Sequence, residues 1–148
     1  MHSDVWGPAL TSVGGFKYYA SFLDDYSRFS WIYLLKRKYD VESAFYSFQA
    51  YVERQFQTKI RVFQSDWGGE YRRLNHYFRR TGIHHCVTCP HTSQQNGIAE
   101  PKHRHIVETG LALLAHSSLP VRFWDEAFLT ARYLINRMPT RTLQNSTP

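Results

Sequence analysis

The apolar pattern of this chain first changes period near residue 40. Before that point the runs are short. Residues 3–10 read as a first strand, ended or bent at Gly7-Pro8, because proline cannot donate to a sheet ladder. Gly14-Gly15 marks a turn. Tyr18 to Leu23 and Trp31 to Leu35 are aromatic-rich runs with strand character. The polar stretch Asp24-Asp25-Tyr26-Ser27-Arg28 between them suits a hairpin connection. Three antiparallel strands are therefore expected first.

From Val41 the apolar residues are Val41, Ala44, Phe45, Phe48, Val52 and Phe56. Steps of mostly three and four mark one face of a helix, and Asp40 is suited to cap it. The aromatic members Phe45, Phe48 and Phe56 are assigned to the core. Ile60 to Phe63 reads as a short buried strand, and a strand after a helix suggests a parallel crossover. Leu74 to Arg80 gives a weak helix closed by Gly82. Ile83 to Val87 is a fifth strand, and Pro90 to Asn96 is polar loop. A long helix is expected from about Gly97 to His116, with Ile106, Val107, Leu111, Leu113 and Leu114 on its apolar side. Ser117-Ser118-Leu119-Pro120 breaks it. A last helix carries Trp124, Ala127, Phe128, Ala131, Leu134, Ile135 and Met138 on one face. The fold class is α/β, with a five-stranded mixed sheet flanked by helices. Residues 1–118 form the core, 119–138 a helix that follows it, and 139–148 a linker or cut end.

Composition narrows the function. The 148 residues are 43% hydrophobic and 16% aromatic, enough for one packed core and too apolar for a disordered chain. No apolar run approaches the roughly 20 residues that cross a bilayer, so a membrane partner is not expected. A formal charge of +6 favours a polyanionic partner. Cys86 and Cys89 are too few for a disulfide framework and fit a reducing compartment.

Three acids stand where the pattern changes. Asp4 lies on the first strand. Asp66 follows the run Ile60, Val62, Phe63 and precedes Gly68-Gly69. Glu100 opens the long helix. In open sheets with parallel strands, sites gather at the carboxyl ends of strands. Acids on a central strand, after its neighbour and on a helix can together hold Mg²⁺ or Mn²⁺. Such a site suits displacement at a phosphodiester. The plainer readings are that Asp66 is a turn former and that Glu100 favours the positive end of a helix.

The surrounding residues extend this reading. Ser65-Asp66-Trp67-Gly68-Gly69-Glu70-Tyr71 and Pro90-His91-Thr92-Ser93-Gln94-Gln95-Asn96-Gly97-Ile98-Ala99-Glu100 resemble the two signature blocks of copia-type retrotransposon integrase catalytic cores. His2-Ser3-Asp4-Val5-Trp6-Gly7-Pro8 resembles that family's opening strand. Asp24 to Arg28 with Trp31 resembles its second hairpin. Leu119-Pro120, Phe123-Trp124 and Ala131 to Arg137 resemble the segment that follows the core. The resemblance implies a ribonuclease-H-like fold and a catalytic metal triad of Asp4, Asp66 and Glu100. It also implies trimming of the element's DNA ends and strand transfer into target DNA by a polynucleotidyl transferase, acting in the nucleus as a homo-oligomer on double-stranded DNA. The alternative is a catalytically impaired module of the same fold that only binds DNA or a protein partner.

Two features depart from the wider pattern. Thirty-three residues separate Asp66 from Glu100, somewhat fewer than in retroviral relatives. Pro101 stands where arginine is usual, so the helix either begins close to Glu100 or kinks there. No paired histidines and cysteines precede Asp4, so the chain reads as an isolated core.

Around the triad, Lys102, His103 and Arg104 are candidate DNA contacts, the last two at i+3 and i+4 from Glu100. Gln94, Gln95, Asn96 and His91 are candidate loop contacts. Lys36-Arg37-Lys38 reads as a solvated strand end. His84-His85-Cys86 with Cys89 and His91 offers at most half a zinc site, since adjacent strand histidines face opposite ways. A buried Cys86 and a loop Cys89 are expected instead.

Overall fold

The computed structural model describes residues 1–66, 68–87 and 101–148 in full, together with the helical backbone of Ala99 and Glu100. The expected polar loop Pro90 to Asn96, with His91, Gln94, Gln95 and Asn96, lies outside the described residues, as do Trp67 and Cys89.

Five strands form one mixed sheet in the order β3-β2-β1-β4-β5. They are β1 (His2–Trp6), β2 (Tyr18–Leu23), β3 (Ser30–Leu35), β4 (Val62–Ser65) and β5 (His84–Val87). The first three pair antiparallel, and β4 pairs parallel with both β1 and β5. The helices are α1 (Val41–Phe56), α2 (Gly69–Arg72), α3 (Leu74–Thr81), α4 (Ala99–His116) and α5 (Trp124–Ile135). The expected mixed five-stranded architecture is the one observed.

Period-two alternation on β2 explains how both faces of the sheet are covered. Ala20 and Phe22 face a cluster built with α1 and α3. Tyr19 faces a second cluster built with α4 and α5. On the first face Phe22 stacks on Phe48 at 4.3 Å, and Phe63 bridges Phe45 and Phe78 at 5.0 and 5.1 Å. On the second, Trp6 lies against Tyr19, Trp124 and Phe128. Such edge-to-face and offset pairs add to the burial term.

Several boundaries and burials differ from the pattern-based expectation. The first strand stops at Trp6 instead of running to residue 10, because Gly7 takes a φ of +124°. A side chain at Gly7 would also meet the Lys17 carbonyl. The fourth strand runs Val62–Ser65, two residues later than expected, and Val62 is exposed. Phe56 is 61% exposed and not core, because the buried stripe of α1 ends at Val52. Leu111 is exposed because the contact stripe of α4 is Ile106, Gly110 and Leu114, each four residues apart. Leu134 flanks the α5 stripe, and Met138 lies beyond the helix end at Ile135; both are exposed. Asp40 immediately precedes α1 but does not cap it. Its carboxylate accepts the Arg37 amide and guanidinium instead. Gly82 closes α3 with a φ of +75°, as expected.

The segment after the sheet is fastened to it at both ends. Trp124 Nε1 donates to the Leu10 carbonyl at 2.7 Å, and Gly14 N–H donates to Asp125. At the other end, buried Asn136 Oδ1 accepts from the Ser30 amide and hydroxyl, while its Nδ2 donates to the Ser30 carbonyl at 2.7 Å. The tail carries a 3₁₀ turn at Arg141–Leu143 and a bridge between Thr140 and Ser146. No helix among the described residues is long and apolar enough to cross a membrane.

Two substitutions test this packing. A Cβ on Gly110 would sit 2.2 Å from Phe128 Cδ1. Gly110→Ala should gain about 1 kcal/mol of helix propensity yet lose stability overall, because overpacking costs about 1–3 kcal/mol. Chemical denaturation measures the net sign. Asn136→Ala strands the buried Ser30 groups and should cost about 1–3 kcal/mol by the same measurement.

Candidate active site

Asp4 sits on β1, the central strand, with β2 on one side and β4 on the other. The parallel register pairs His2 with Gln64. Two residues further along each strand come Asp4 and, just past the end of β4, Asp66. The backbone ladder thus brings two acids distant in sequence to the same level of the sheet.

Their surroundings differ. Asp4 is half-buried, and its Oδ1 accepts the Val5 amide at 2.8 Å. Asp66 is exposed, and its Oδ1 accepts the Gly68 amide at 3.2 Å. The protein crowded around the Asp66 carboxyl raises its pKa above the ordinary value. The Gly68 amide opposes that rise, the Glu70 and Asp4 carboxylates add to it, and Lys38 reduces it. Mutual repulsion of this kind is relieved by a cation.

Glu70 and Lys38 were not among the residues singled out from sequence. Glu70 is buried, and its Oε1 lies 2.8 Å from Lys38 Nζ. The bond to Glu70 raises the Lys38 pKa, and the Asp66 and Asp4 charges support the rise. Lys38 is therefore not a merely solvated strand end. The signal available in sequence was a basic run ending β3 combined with an acid two residues past Gly68. Nothing in either stretch says that they meet.

The end of β4 is held from beneath. Ser65 is fully buried, and its hydroxyl lies 2.9 Å from His85 Nε2. His85 Nδ1 lies 2.8 Å from Asn75 Oδ1. Burial lowers the His85 pKa, favouring a neutral ring that gives its Nδ1–H to Asn75. Ser3, next to Asp4, meets the hydroxyl of fully buried Tyr71 at 2.6 Å. His85 is thus a strand-to-helix tie. Cys86, expected buried, is half-buried.

Glu100 is the second residue of α4, and α4 packs against β1. The third triad position is therefore carried on a helix lying beside the Asp4 strand, while the Glu100 side chain lies outside the described residues. Pro101 falls in the first helical turn, where the amide has no intrahelical partner to lose. The helix begins close to Glu100, which is the first of the two arrangements the proline allowed. Among the described residues, no three His, Cys, Asp or Glu side chains gather as a metal-binding group. The all-carboxylate donors Asp4 and Asp66 suit a hard cation such as Mg²⁺, and the repulsion between them, which Lys38 only reduces, fits one.

The candidate DNA contacts on α4 divide. Arg104 is exposed. His103 is half-buried. Its Nδ1 lies 2.9 Å from the Tyr19 hydroxyl, and its ring stacks on Tyr19. Lys102 is half-buried, and burial together with Arg28 brings its pKa down to about 8.

This geometry agrees with comparisons to other proteins. Residues 1–93 match the family model described as Integrase core domain. Over all of its length the chain is 47% identical to the retrovirus-related Pol polyprotein from transposon RE1 of Arabidopsis thaliana. It is 46% identical to that from transposon RE2 of the same plant and 45% to that from transposon TNT 1-94 of Nicotiana tabacum. The chain spans only 10–11% of the length of these relatives. It also superposes on a chain of the simian T-cell lymphotropic virus intasome, solved with the PP2A regulatory subunit B56 gamma. The TM-score is 0.74 at 17% identity, covering 99% of this chain and 51% of that one. With the HTLV-2 integrase catalytic core domain, solved with magnesium in a trimeric form, the TM-score is 0.66 at 16% identity, covering 99% and 90%. The fold is that of the retroviral integrase catalytic cores, the ribonuclease-H-like fold that the motifs implied. With the sheet, a family model over residues 1–93 and relatives along its full length in agreement, the chain belongs to the integrase core domain family, and its relatives are the Pol polyproteins of copia-type retrotransposons.

Proposed function

We propose that this chain is the catalytic core that processes the 3′ ends of a retrotransposon's DNA and joins them to target DNA. The observation that carries the reading is the parallel β1–β4 register, which sets Asp4 and Asp66 side by side, with α4 and its Glu100 packed against the same strand.

Each reaction is a displacement at phosphorus. The oxygen of water, in end processing, or of a DNA 3′-hydroxyl, in joining, forms a new P–O bond. The opposite P–O bond breaks, and its oxygen leaves as the new 3′-hydroxyl. The attacking oxygen gives up its proton. Mg²⁺ or Mn²⁺ held by Asp4, Asp66 and Glu100 would supply charge for the phosphoryl oxygens and a lowered pKa for the attacking group. The magnesium in the HTLV-2 core supports that choice of ion.

The chain's own residues have distinct parts. The Val5 amide fixes the Asp4 carboxylate, and the Gly68 amide fixes that of Asp66. Lys38 neutralises Glu70, which keeps a further buried carboxylate out of competition for the ion. His103 fastens α4 to Tyr19 and so holds the helix that bears Glu100. Arg104, exposed one turn after Glu100, meets phosphate; Lys102 and the loop residues His91, Gln94, Gln95 and Asn96 complete the contact to double-stranded DNA. The net charge of +6 suits that partner. Assembly as a homo-oligomer is part of this reading, supported by the intasome and the trimeric form of its fold neighbours. The nucleus, where target DNA resides, is the place of action.

The decisive measurement is Mn²⁺ binding by calorimetry beside strand transfer on an oligonucleotide substrate. Asp66→Asn should abolish the first and reduce the second by more than about 100-fold, the scale on which preorganised charge acts in an active site. Unchanged metal affinity in that variant would sink the reading. Lys38→Met leaves the Glu70 carboxylate buried without its partner. Because Lys38 is itself half-exposed, the expected cost is about 1–3 kcal/mol, below that of breaking a fully buried pair. Urea unfolding of Lys38→Met against the double variant Lys38→Met/Glu70→Gln measures it, and the double variant should recover part of the loss.

A further inference from the structure

A cleft of about 430 Å³ opens between the first turn of α4, the end of β2 and the tail after α5. Leu23, Ile135 and Met138 give it an apolar floor, and Arg28, Lys102 and His105 give it a cationic wall. Among the described residues, no carboxylate lines it. Arg28 Nη1 donates to exposed Asp25 at 2.8 Å, which engages one edge of the guanidinium. Lys102 is half-buried and lines the same cleft as Arg28. The Thr140 hydroxyl, also at the cleft, is buried without a hydrogen-bond partner among the described residues.

A cation drawn partly out of water beside a second cation is a costly arrangement. An anion placed between them would relieve it through charge-assisted hydrogen bonds. Arginine and lysine together match phosphate in particular, the guanidinium by its fork and the ammonium as a point charge. The apolar floor asks for more than a bare anion, and the volume falls in the range of small-ligand clefts. A nucleotide has both parts, a phosphate for the wall and a flat base for the floor.

We infer that this cleft binds a nucleotide, its phosphate on Arg28 and Lys102 and its base against Leu23, Ile135 and Met138. The nucleotide is a free one, distinct from the DNA contact already given to Lys102. The site needs neither metal nor the acids Asp4 and Asp66, and it shares with the proposed catalytic reading only Lys102, one of the DNA contacts named there.

The test is a titration of the protein with deoxyadenosine monophosphate in the presence of a chelator, followed by amide NMR shifts and calorimetry. Saturable shifts are expected at Arg28, Lys102 and Met138. Inorganic phosphate should bind there more weakly, and deoxyadenosine should not bind. Lys102→Gln and Arg28→Gln should each weaken nucleotide affinity by about tenfold or more, the scale of one charge-assisted bond. Their unperturbed spectra elsewhere report that the fold is kept. Asp66→Asn should bind the nucleotide like the parent chain while losing Mn²⁺, which separates the two readings. A short DNA duplex that leaves the nucleotide bound supports the inference, and one that displaces it overturns the inference and returns the cleft to the DNA contact. Absence of saturable shifts at millimolar nucleotide overturns the inference, as does equal affinity in the parent chain and both variants.

Discussion

Two carboxylates that repel each other are held at one level of a sheet by the parallel ladder between β1 and β4. The Gln64 amide donates to the Met1 carbonyl, and the ladder continues into the pairing of His2 with Gln64. A parallel register cannot slip by one residue without turning every side chain to the opposite face. Both faces of this sheet are packed, so a slip would drive Phe63 and Ser65, both fully buried, out of their clusters and ties. The aromatic cores therefore do more than stabilise. They fix the register that brings Asp4 and Asp66 together, and the Asp4 charge adds to a rise in the Asp66 pKa that burial causes first.

The strands, α1, the cap at Gly82 and the order of elements were legible in the sequence because each rests on local periodicity or on a residue with one conformational use. The pairing of Asp4 with Asp66 was readable only through linked motifs, since no local pattern states which strands are neighbours. Burial at element ends was misjudged for one physical reason. Phe56, Leu134 and Met138 fit the helical period of their neighbours, but a period says nothing about where the opposing surface stops. Lys38 and Glu70 were overlooked for a related reason. Their ion pair spans the end of β3 and the start of α2, and such contacts belong to the tertiary fold.

The helix that carries Glu100 is secured by several unlike contacts. Gly110 lets α5 approach closely at Phe128, His103 meets Tyr19 on β2, and Ile106 and Leu114 enter the second core. Pro101 costs little there because it occupies the first turn. A residue that threatened the helix in the sequence thus becomes compatible with it once the helix start is known. The basic residues of the same stretch serve unlike ends, with His103 turned inward and Arg104 left exposed.

The sheet order also dictates when the acids can meet during synthesis. The meander of β1, β2 and β3 needs only neighbouring segments, so it can close as soon as those residues leave the ribosome. The partner of β1 on its other side is β4, which arrives some sixty residues later along the chain, after all of α1. Until then β1 is an unprotected edge of the nascent meander. Long-range parallel pairing is also intrinsically slow. The shared level of Asp4 and Asp66 is therefore set only once β4 has been made, and a chain interrupted before β4 would carry Asp4 with nothing opposite it.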